Sequence, residues 1–339
     1  MLSTVAINIF NLLKEKTLPK VVITTHHKPD ADAMGSSMGL HHFLKQIGID
    51  SKVISPTDFA NNLKWMPNSE NVINFEESTD LCKAITDEAD FIFCLDFNDL
   101  KRINEYGEVV SATKSIKILI DHHQHPIGFE DYSYWDDKAS STCELVYRFI
   151  HDIGLSDLIN KSIASCLYTG ILMDTGSFKY SNCSGQTHRI VAELIDAGAN
   201  HIEIGDAVFD SFSEDRVRFI GYAISQKMEV FKDLNTALIV INDQELLKYN
   251  VTTGDTEGLV NYGLSIEGVK FAVLIIDRTK LVKMSFRSKG NFAANNFAKE
   301  NFNGGGHFHA AGGSSDLSLE DTVKKFKTIL YNYKEDLNV

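Results

Sequence analysis

The feature that most constrains this chain is a set of short, nearly unbroken apolar runs, each ending in acids or histidines. Val21-Val22-Ile23-Thr24-Thr25 runs into His26, Phe91-Ile92-Phe93-Cys94-Leu95 into Asp96, and Ile116-Lys117-Ile118-Leu119-Ile120 into Asp121-His122-His123. Short β-branched and aromatic runs without strict alternation are what strands buried on both faces require. The stretches between them, such as Ala33 to Ile47 and Ser141 to His151, have helical character and supply the crossovers. The first half therefore predicts an α/β fold with a parallel sheet covered on both faces. Ligands of such sheets collect beyond the carboxyl ends of the strands, which is where these acids and histidines fall.

A further helical segment, Lys161 to Met173, leads into Asp174 in a Gly-containing turn, and Thr187 to Ala197 predicts another helix, closed by Gly198. Ile202 to Lys227 is helical and charged and reads as a structured connector. After it come new strand signals (Thr236 to Ile241, Lys270 to Ile276, Leu281 to Arg287), a helical run Asn291 to Asn301, the triplet Gly304-Gly305-Gly306 and a terminal helix from Ser318. This predicts a second, smaller α/β unit of roughly a hundred residues, a normal domain size. The expected organisation is residues 1–200, a connector at 201–228, and residues 229–339. Leu2 to Leu13 reads as an amphipathic first helix, lacking the basic start and small-residue cleavage site of a secretory leader. No segment approaches the ~18 consecutive apolar residues of a membrane span.

Lys plus Arg number 33 against 46 Asp plus Glu, a net charge of −13 over 339 residues. That balance argues against an extended basic surface for long duplex nucleic acid. Small anionic substrates stay open, because bound cations outweigh the global field locally. The five cysteines are scattered without a Cys-x-x-Cys pair, which excludes a disulfide framework and a zinc knuckle and fits a reducing cytoplasm. No Gly-x-Gly-x-x-Gly follows a strand, so a dinucleotide cofactor is not indicated.

In an extended loop, positions i and i+2 point the same way, so Asp30 and Asp32 present two carboxylates to one volume while His26 approaches from the strand end. Gathered carboxylates repel unless cations neutralise them, and mixed carboxylate and imidazole donors suit manganese, magnesium, iron or zinc. The alternative for this fragment is a helix N-cap with its first-turn acid. Asp96, the Asp121-His122-His123 run and Asp174 tip the balance toward metal. In the second unit, the glycine triplet offers backbone N–H groups for an anion, His307 a donor or stacking ring, and Arg287 a planar fork for phosphate oxygens. His41, His42, His151, His188 and His201 read as surface or core-edge residues, and Asp255 to Gly258 as a helix start. Arg102 is either a phosphate contact or a solvated cation.

Taken together, His26-x-x-x-Asp30-x-Asp32, the strand-end Asp96, Asp121-His122-His123 and Asp174-Thr-Gly-x-Phe178 resemble the four successive motifs of the DHH phosphoesterase superfamily. Asn303-Gly304-Gly305-Gly306-His307-x-x-Ala310-Ala311-Gly312-Gly313, preceded by Ser285-Phe286-Arg287-Ser288, is similar to its DHH-associated C-terminal domain. In layout the chain resembles the stand-alone bacterial nano-RNases, which are bifunctional oligoribonucleases and phosphoadenosine-phosphate phosphatases. The resemblance implies an active site in the cleft between the two domains. It implies one ion held by His26, Asp30 and Asp96, and a second by Asp32, Asp96, His122 and Asp174, with Asp96 bridging. The cofactors would be two divalent ions, manganese first, with magnesium or cobalt as alternatives. It further implies that Asp121 orients a neighbouring imidazole, that His123 meets the scissile phosphate or the leaving group, and that Arg287, Gly304, Gly305, Gly306 and His307 bind substrate.

The expected function is hydrolysis of short single-stranded RNA to nucleoside 5′-monophosphates, with phosphoadenosine-phosphate to AMP as a second activity. Partners would be short RNA or small nucleotides, with no long duplex, no membrane, and a homodimer allowed. Competing readings are a cyclic or linear di-AMP phosphodiesterase, a pyrophosphatase or exopolyphosphatase, and a non-catalytic nucleotide sensor. The Arg-Lys-Lys stretch of the pyrophosphatase relatives is missing, and every implied ligand position is filled.

Overall fold

The computed structural model describes residues 2–278 and 281–338. The chain forms two compact units that divide between Ser211 and Phe212, inside the expected connector.

In the first unit the apolar runs become strands: β1 (Val21–Thr25), β2 (Ser51–Ser55), β3 (Ile73–Asn74), β4 (Phe91–Leu95), β5 (Ile116–Asp121) and β6 (Tyr132–Trp135). All pair in parallel, in the order β3-β2-β1-β4-β5-β6. Chain direction across the sheet reverses between β1 and β4, and such a switch point opens a crevice at the strands' carboxyl ends. Register brings the three central strands to one level there, with Thr25 opposite Leu95 and Leu95 opposite Ile120. His26, Asp96 and Asp121 therefore leave the sheet side by side.

Helices α1 (Leu2–Glu15), α2 (Ala31–Gln46), α3 (Thr79–Asp87), α4 (Tyr106–Ala112), α5 (Thr142–Asp152), α6 (Lys161–Asp174), α7 (Gly185–Asp196) and α8 (His201–Phe209) complete the unit. The expected first helix is present and buries Ala6, Ile9 and Leu13. No helix among the described residues is long and apolar enough to cross a membrane.

The helices α2 and α6 meet where neither has a side chain. A Cβ on Gly35 would lie 2.5 Å from the Cys166 carbonyl oxygen, and one on Gly170 would lie 2.2 Å from Cys143 Sγ and 2.7 Å from Asp32 Oδ1. Both glycines cost helix propensity, ~1 kcal/mol each, in exchange for that approach.

The second unit holds α9 (Glu214–Lys227), β7 (Met228–Phe231), β8 (Thr236–Ile241), α10 (Asp243–Lys248), α11 (Asn261–Leu264), β9 (Phe271–Asp277), β10 (Val282–Ser288), α12 (Ala294–Asn301), β11 (Gly305–His307), β12 (Ala310–Ser315), α13 (Leu319–Leu330) and α14 (Lys334–Asn338). Its sheet runs β11-β12-β10-β9-β8-β7 and is antiparallel except for the β8–β9 pair. The helix start expected at Asp255 is not formed; residues 253–260 are turns, because Asp255 closes on Thr252, accepting from its N–H at 2.6 Å and its hydroxyl at 2.8 Å.

The α2–α6 contact gives the first prediction. Gly170→Ala should destabilise the protein by about 1–3 kcal/mol despite its better helix propensity, since overpacking against sulfur and carboxylate outweighs the gain. Urea unfolding reads this as a lower midpoint. An unchanged midpoint would mean that the helices can part without cost.

Candidate metal centre

Helix α2 begins just after β1 ends, and Asp30 is its N-cap. Oδ1 of Asp30 accepts from the backbone N–H groups of Asp32 and Ala33, each at 3.0 Å. Its other oxygen, Oδ2, faces His26 Nε2 at 3.8 Å. The cap and the candidate ligand, which the sequence sets against each other, are two oxygens of one carboxylate.

Asp32 lies in the first turn of α2 and is held from across the unit. The N–H of Thr142 donates to its Oδ2 at 2.7 Å and that of Cys143 to its Oδ1 at 2.9 Å. Both donors belong to the first turn of α5, whose positive end favours an anion. Asp96, placed at φ +64° directly after β4, is fixed by its N–H to Ile120 O at 3.2 Å. A left-handed backbone is unfavourable for a residue with a Cβ, and such positions cluster at functional sites. Here it turns the carboxylate between two imidazoles. Oδ2 lies 3.4 Å from His26 Nε2 and Oδ1 3.5 Å from His122 Nε2, while Thr142 Oγ1 donates to Oδ1 at 3.0 Å. Asp174 is the last residue of α6 rather than part of the turn beyond it, and its Oδ2 is 3.4 Å from His122 Nε2.

Two groups result: His26, Asp30 and Asp96, and Asp32, His122 and Asp174. Within each, one donor atom from every residue lies within 4.8 Å of the others. Asp32 and Asp96 are 2% exposed, whereas the side chains of Asp174 and Asp30 are 29% and 45% exposed, so the cluster is deep at one end and open at the other.

The proton inventory shows what the cluster needs. His26 Nδ1 is 2.9 Å from His27 O, and His122 Nδ1 3.3 Å from Ala139 O. A carbonyl only accepts, so Nδ1 carries the proton in both rings and a neutral ring presents a lone pair at Nε2. Those lone pairs face carboxylate oxygens, acceptor against acceptor. The contact is tolerable only with a second proton or a cation.

The electrostatics agree. Burial disfavours charge on His26 and His122, yet Asp96 and the other carboxylates raise both, His122 well above its ordinary value. Burial, then the charges of Asp96 and Asp174, push Asp32 well above the usual carboxylate range. Burial acts the same way on Asp96, but the hydrogen bonds from His122 and His26 overcome it and hold Asp96 well below that range. Carboxylate and imidazole donors without a thiolate suit a divalent ion of the manganese or magnesium kind. The residues present fit such ions.

Asp121 is fully buried and its Oδ1 is bonded to His123 Nδ1 at 2.8 Å, while Trp135 Nε1 donates to His123 O at 2.7 Å. Burial, then the charge of Arg102, keeps the His123 imidazole below its ordinary value. That Arg102 charge also acts on His26, which places it at the cluster. His41 and His42 stay outside, bonded to Ser51 Oγ at 2.8 Å and Pro67 O at 2.9 Å.

In the second unit, Arg287 on β10 and His307 on β11 both pair with Ala310 on β12. The three form one row across the sheet and project from the same face. The glycine triplet leads into an edge strand rather than remaining a loop. A Cβ on Gly304 would lie 2.3 Å from Gly312 O, and one on Gly306, at φ +138°, 2.6 Å from Ala310 O, while Gly305 has open space. Close approach of β12 thus accounts for Gly304 and Gly306.

Sequence reasoning missed Thr142, Cys143, Gly35 and Gly170. Ser141-x-x-Glu144 ahead of an apolar run is a helix-start signature and could have drawn attention to the start of α5. Nothing in the sequence pairs that start with Asp32.

Comparison with known proteins gives the family of the chain. Residues 20–171 match the DHH family, N-terminal domain, and residues 235–333 match the DHHA1 domain. The chain is 29% identical to the bifunctional oligoribonuclease and PAP phosphatase NrnA of Thermus thermophilus, over 94% of this chain and 90% of that one. It is 27% identical to the protein of the same name from Bacillus subtilis, over 87% and 88%. Among solved structures, an exopolyphosphatase-related protein from Bacteroides fragilis superposes with a TM-score of 0.93 and 40% identity, covering 99% of this chain and 98% of that one. With a DHH domain spanning His26 to His123 and a DHHA1 domain spanning the Arg287–His307 row, the chain belongs to the DHH family.

Proposed function

We propose that this chain is a metal-dependent phosphoesterase that hydrolyses short RNA oligonucleotides to nucleoside 5′-monophosphates and removes a phosphate from phosphoadenosine-phosphate. One observation carries the metal requirement: Nε2 of His26 and of His122, each ring with Nδ1 against a backbone carbonyl, lies 3.4–3.8 Å from the buried carboxylates of Asp32 and Asp96. The substrate class is supported by the relatives named as oligoribonuclease and PAP phosphatase. The Bacteroides fragilis protein, described as exopolyphosphatase-related, favours polyphosphate as a second reading.

In this reading His26, Asp30 and Asp96 hold one divalent ion and Asp32, Asp96, His122 and Asp174 another. Bound there, such ions would supply Lewis acidity for lowering the pKa of water and for stabilising charge on the oxygens of an in-line displacement at phosphorus. The residues do the rest. Asp96 offers one oxygen toward each group, so both charges are set by one carboxylate. Asp121 holds His123 Nδ1, which fixes the ring so that Nε2 is the atom that meets the phosphate or its leaving oxygen. Arg287 grips phosphate oxygens through its planar fork, and His307 beside it donates to phosphate or stacks on a base. The cytoplasm is the expected compartment.

A panel tests the reading: manganese-loaded protein against a dinucleotide, a pentamer, phosphoadenosine-phosphate, linear and cyclic diadenylate, pyrophosphate and polyphosphate. Preference for the dinucleotide and phosphoadenosine-phosphate is expected. A preference for polyphosphate would replace this reading with the second, and no turnover of any substrate would leave a nucleotide-binding protein.

Metal and proton compete for the same atoms. Chelation should abolish turnover and added manganese restore it. Because the carboxylates raise His26 and His122 and burial raises Asp32, the metal-free cluster takes up protons as the pH falls, so manganese affinity should weaken steadily toward acid. Calorimetric titration at several pH values reads this. Affinity independent of pH would remove these three residues from the ligand set.

Asp96→Asn removes one charge from both groups at once. Its effect on kcat/KM should exceed the ~10- to 100-fold typical of losing a partner behind a ligand, with fewer than two ions retained. Normal activity with two bound ions would displace Asp96 from the centre of the mechanism.

Arg287→Ala and His307→Ala should lower kcat/KM on a dinucleotide roughly ten- to more than hundredfold, the scale of a charge-assisted phosphate contact. Hydrolysis of a small chromogenic phosphodiester should barely change. Equal losses on both substrates would place these residues in the chemistry or the fold.

A further inference from the structure

The residues Ala139 to Cys143 link the inner carboxylates and His122. Ala139 O lies 3.3 Å from His122 Nδ1; the N–H groups of Thr142 and Cys143 donate to Asp32 at 2.7 and 2.9 Å; and Thr142 Oγ1 donates to Asp96 at 3.0 Å. Asn182 Nδ2 donates to Ser140 O at 2.9 Å and reaches the carbonyl of Asp174 at 3.5 Å. Four of the five residues 139–143 thus bear on Asp32, Asp96, His122 and Asp174. Apart from Asp96, which Thr142 also holds, the other group is supported differently. His26 is oriented by His27 O and Asp30 by the first turn of α2, and neither support passes through residues 139–143.

One side chain holds this segment in place. Glu144 is 3% exposed, and its Oε2 accepts from Ser140 N–H at 3.3 Å, Ser140 Oγ at 2.7 Å and Thr187 Oγ1 on α7 at 2.9 Å. In a capping box the acid at this position reaches back to the N–H of the cap residue. Here the cap is Ser141, and Glu144 reaches one residue further, clamping the chain before the helix begins. Arg148 Nη1 lies 3.8 Å from Oε1 and is itself bonded to Asp136 at 2.9 Å.

We infer that Glu144 is a positioning residue for one ion of the pair: by clamping Ser140 it sets residues 139–143 as the template for the site of Asp32, His122 and Asp174, and reaches the site of His26 and Asp30 only through the shared Asp96. This rests on the metal-dependent reading above. A buried carboxylate with three donors and a nearby guanidinium is more than a helix start needs. Its partners lie on both sides of the segment, on the segment itself and on α7.

The test is manganese titration of the full chain by calorimetry, alongside urea unfolding of the chelated protein. The unsubstituted protein should take up two ions. Glu144→Ala should weaken one by ~10- to 100-fold, the range for partners behind a ligand, and the other, which it reaches only through Asp96, by clearly less. Glu144→Gln, which keeps an acceptor for the Ser140 hydroxyl, should recover part of that loss. Thr187→Val loosens the clamp from α7 without altering α5, and it carries the test if Glu144→Ala does not fold; a smaller loss at the same ion is expected. Equal weakening of both ions, or no weakening in a folded variant, would overturn the inference, since a general loss of stability falls on both. If the unsubstituted protein takes up no manganese, the metal-dependent reading falls and this inference with it. If it binds two ions but hydrolyses none of the panel, the function fails while the unequal loss still decides the role of Glu144.

Discussion

The structure is organised around the repulsion between carboxylates that the fold forces together. Asp32 and Asp174 bring oxygens within 4.8 Å of each other, and at an effective dielectric near 20 two such charges repel by roughly 3–4 kcal/mol. Asp96 and Asp30 add to that load. Much of the local architecture reduces it. The first turn of α5 gives Asp32 two N–H donors and the positive end of a helix. The Thr142 hydroxyl serves Asp96, the start of α2 serves Asp30, and the imidazoles of His26 and His122 stand between the acids. What remains is charge that only protons or cations can cancel. A cluster built so that it cannot rest neutral without them has the chemistry to hold metal ions.

Topology decides where that cluster forms. In the strand order β3-β2-β1-β4-β5-β6 the crevice opens between β1 and β4, and the two residues leaving those strands are His26 and Asp96. Register then adds Asp121 and His122 from β5 at the same level. The left-handed backbone at Asp96 costs ~1–3 kcal/mol, which the surrounding bonds must offset. Without that turn the carboxylate would not face both imidazoles. The close approach of α2 and α6 through Gly35 and Gly170 completes the arrangement, because it sets Asp32 and Asp174, on different helices, on either side of His122.

These facts also explain what the sequence reveals and what it conceals. His26, Asp30, Asp96, Asp121 and His122 are legible because each follows an apolar run whose length marks the strand end. The parallel sheet is legible for the same reason. The support from residues 139–143 is not, since it works through backbone N–H groups and a carbonyl, which every residue has. Gly35 and Gly170 act by what they lack, and a glycine inside a helical pattern signals a close contact without naming its partner. Asp30 shows a different limit: the cap and the ligand look like rivals in sequence, yet a carboxylate has two oxygens and serves both. In the second unit the glycine triplet suggests an anion cradle, whereas β12 already requires two of its three members to be glycine.

The acidity of the chain, −13 overall, bears on how an anionic substrate could be bound at all. A phosphodiester meeting Asp30, Asp32, Asp96 and Asp174 without counter-charge faces repulsion from every side, and the proton-loaded imidazoles offset only part of it. Neutralisation of the cluster therefore has to precede substrate. In the proposed reading the row of Arg287 and His307 on the second sheet would supply attraction of a different kind, tied to a fixed backbone register and independent of any ion. An oligonucleotide carries several phosphates, each of which needs such a counter-charge. A longer chain brings further charges that this net-negative surface does nothing to reward. The proposed preference for short substrates would then follow from charge balance.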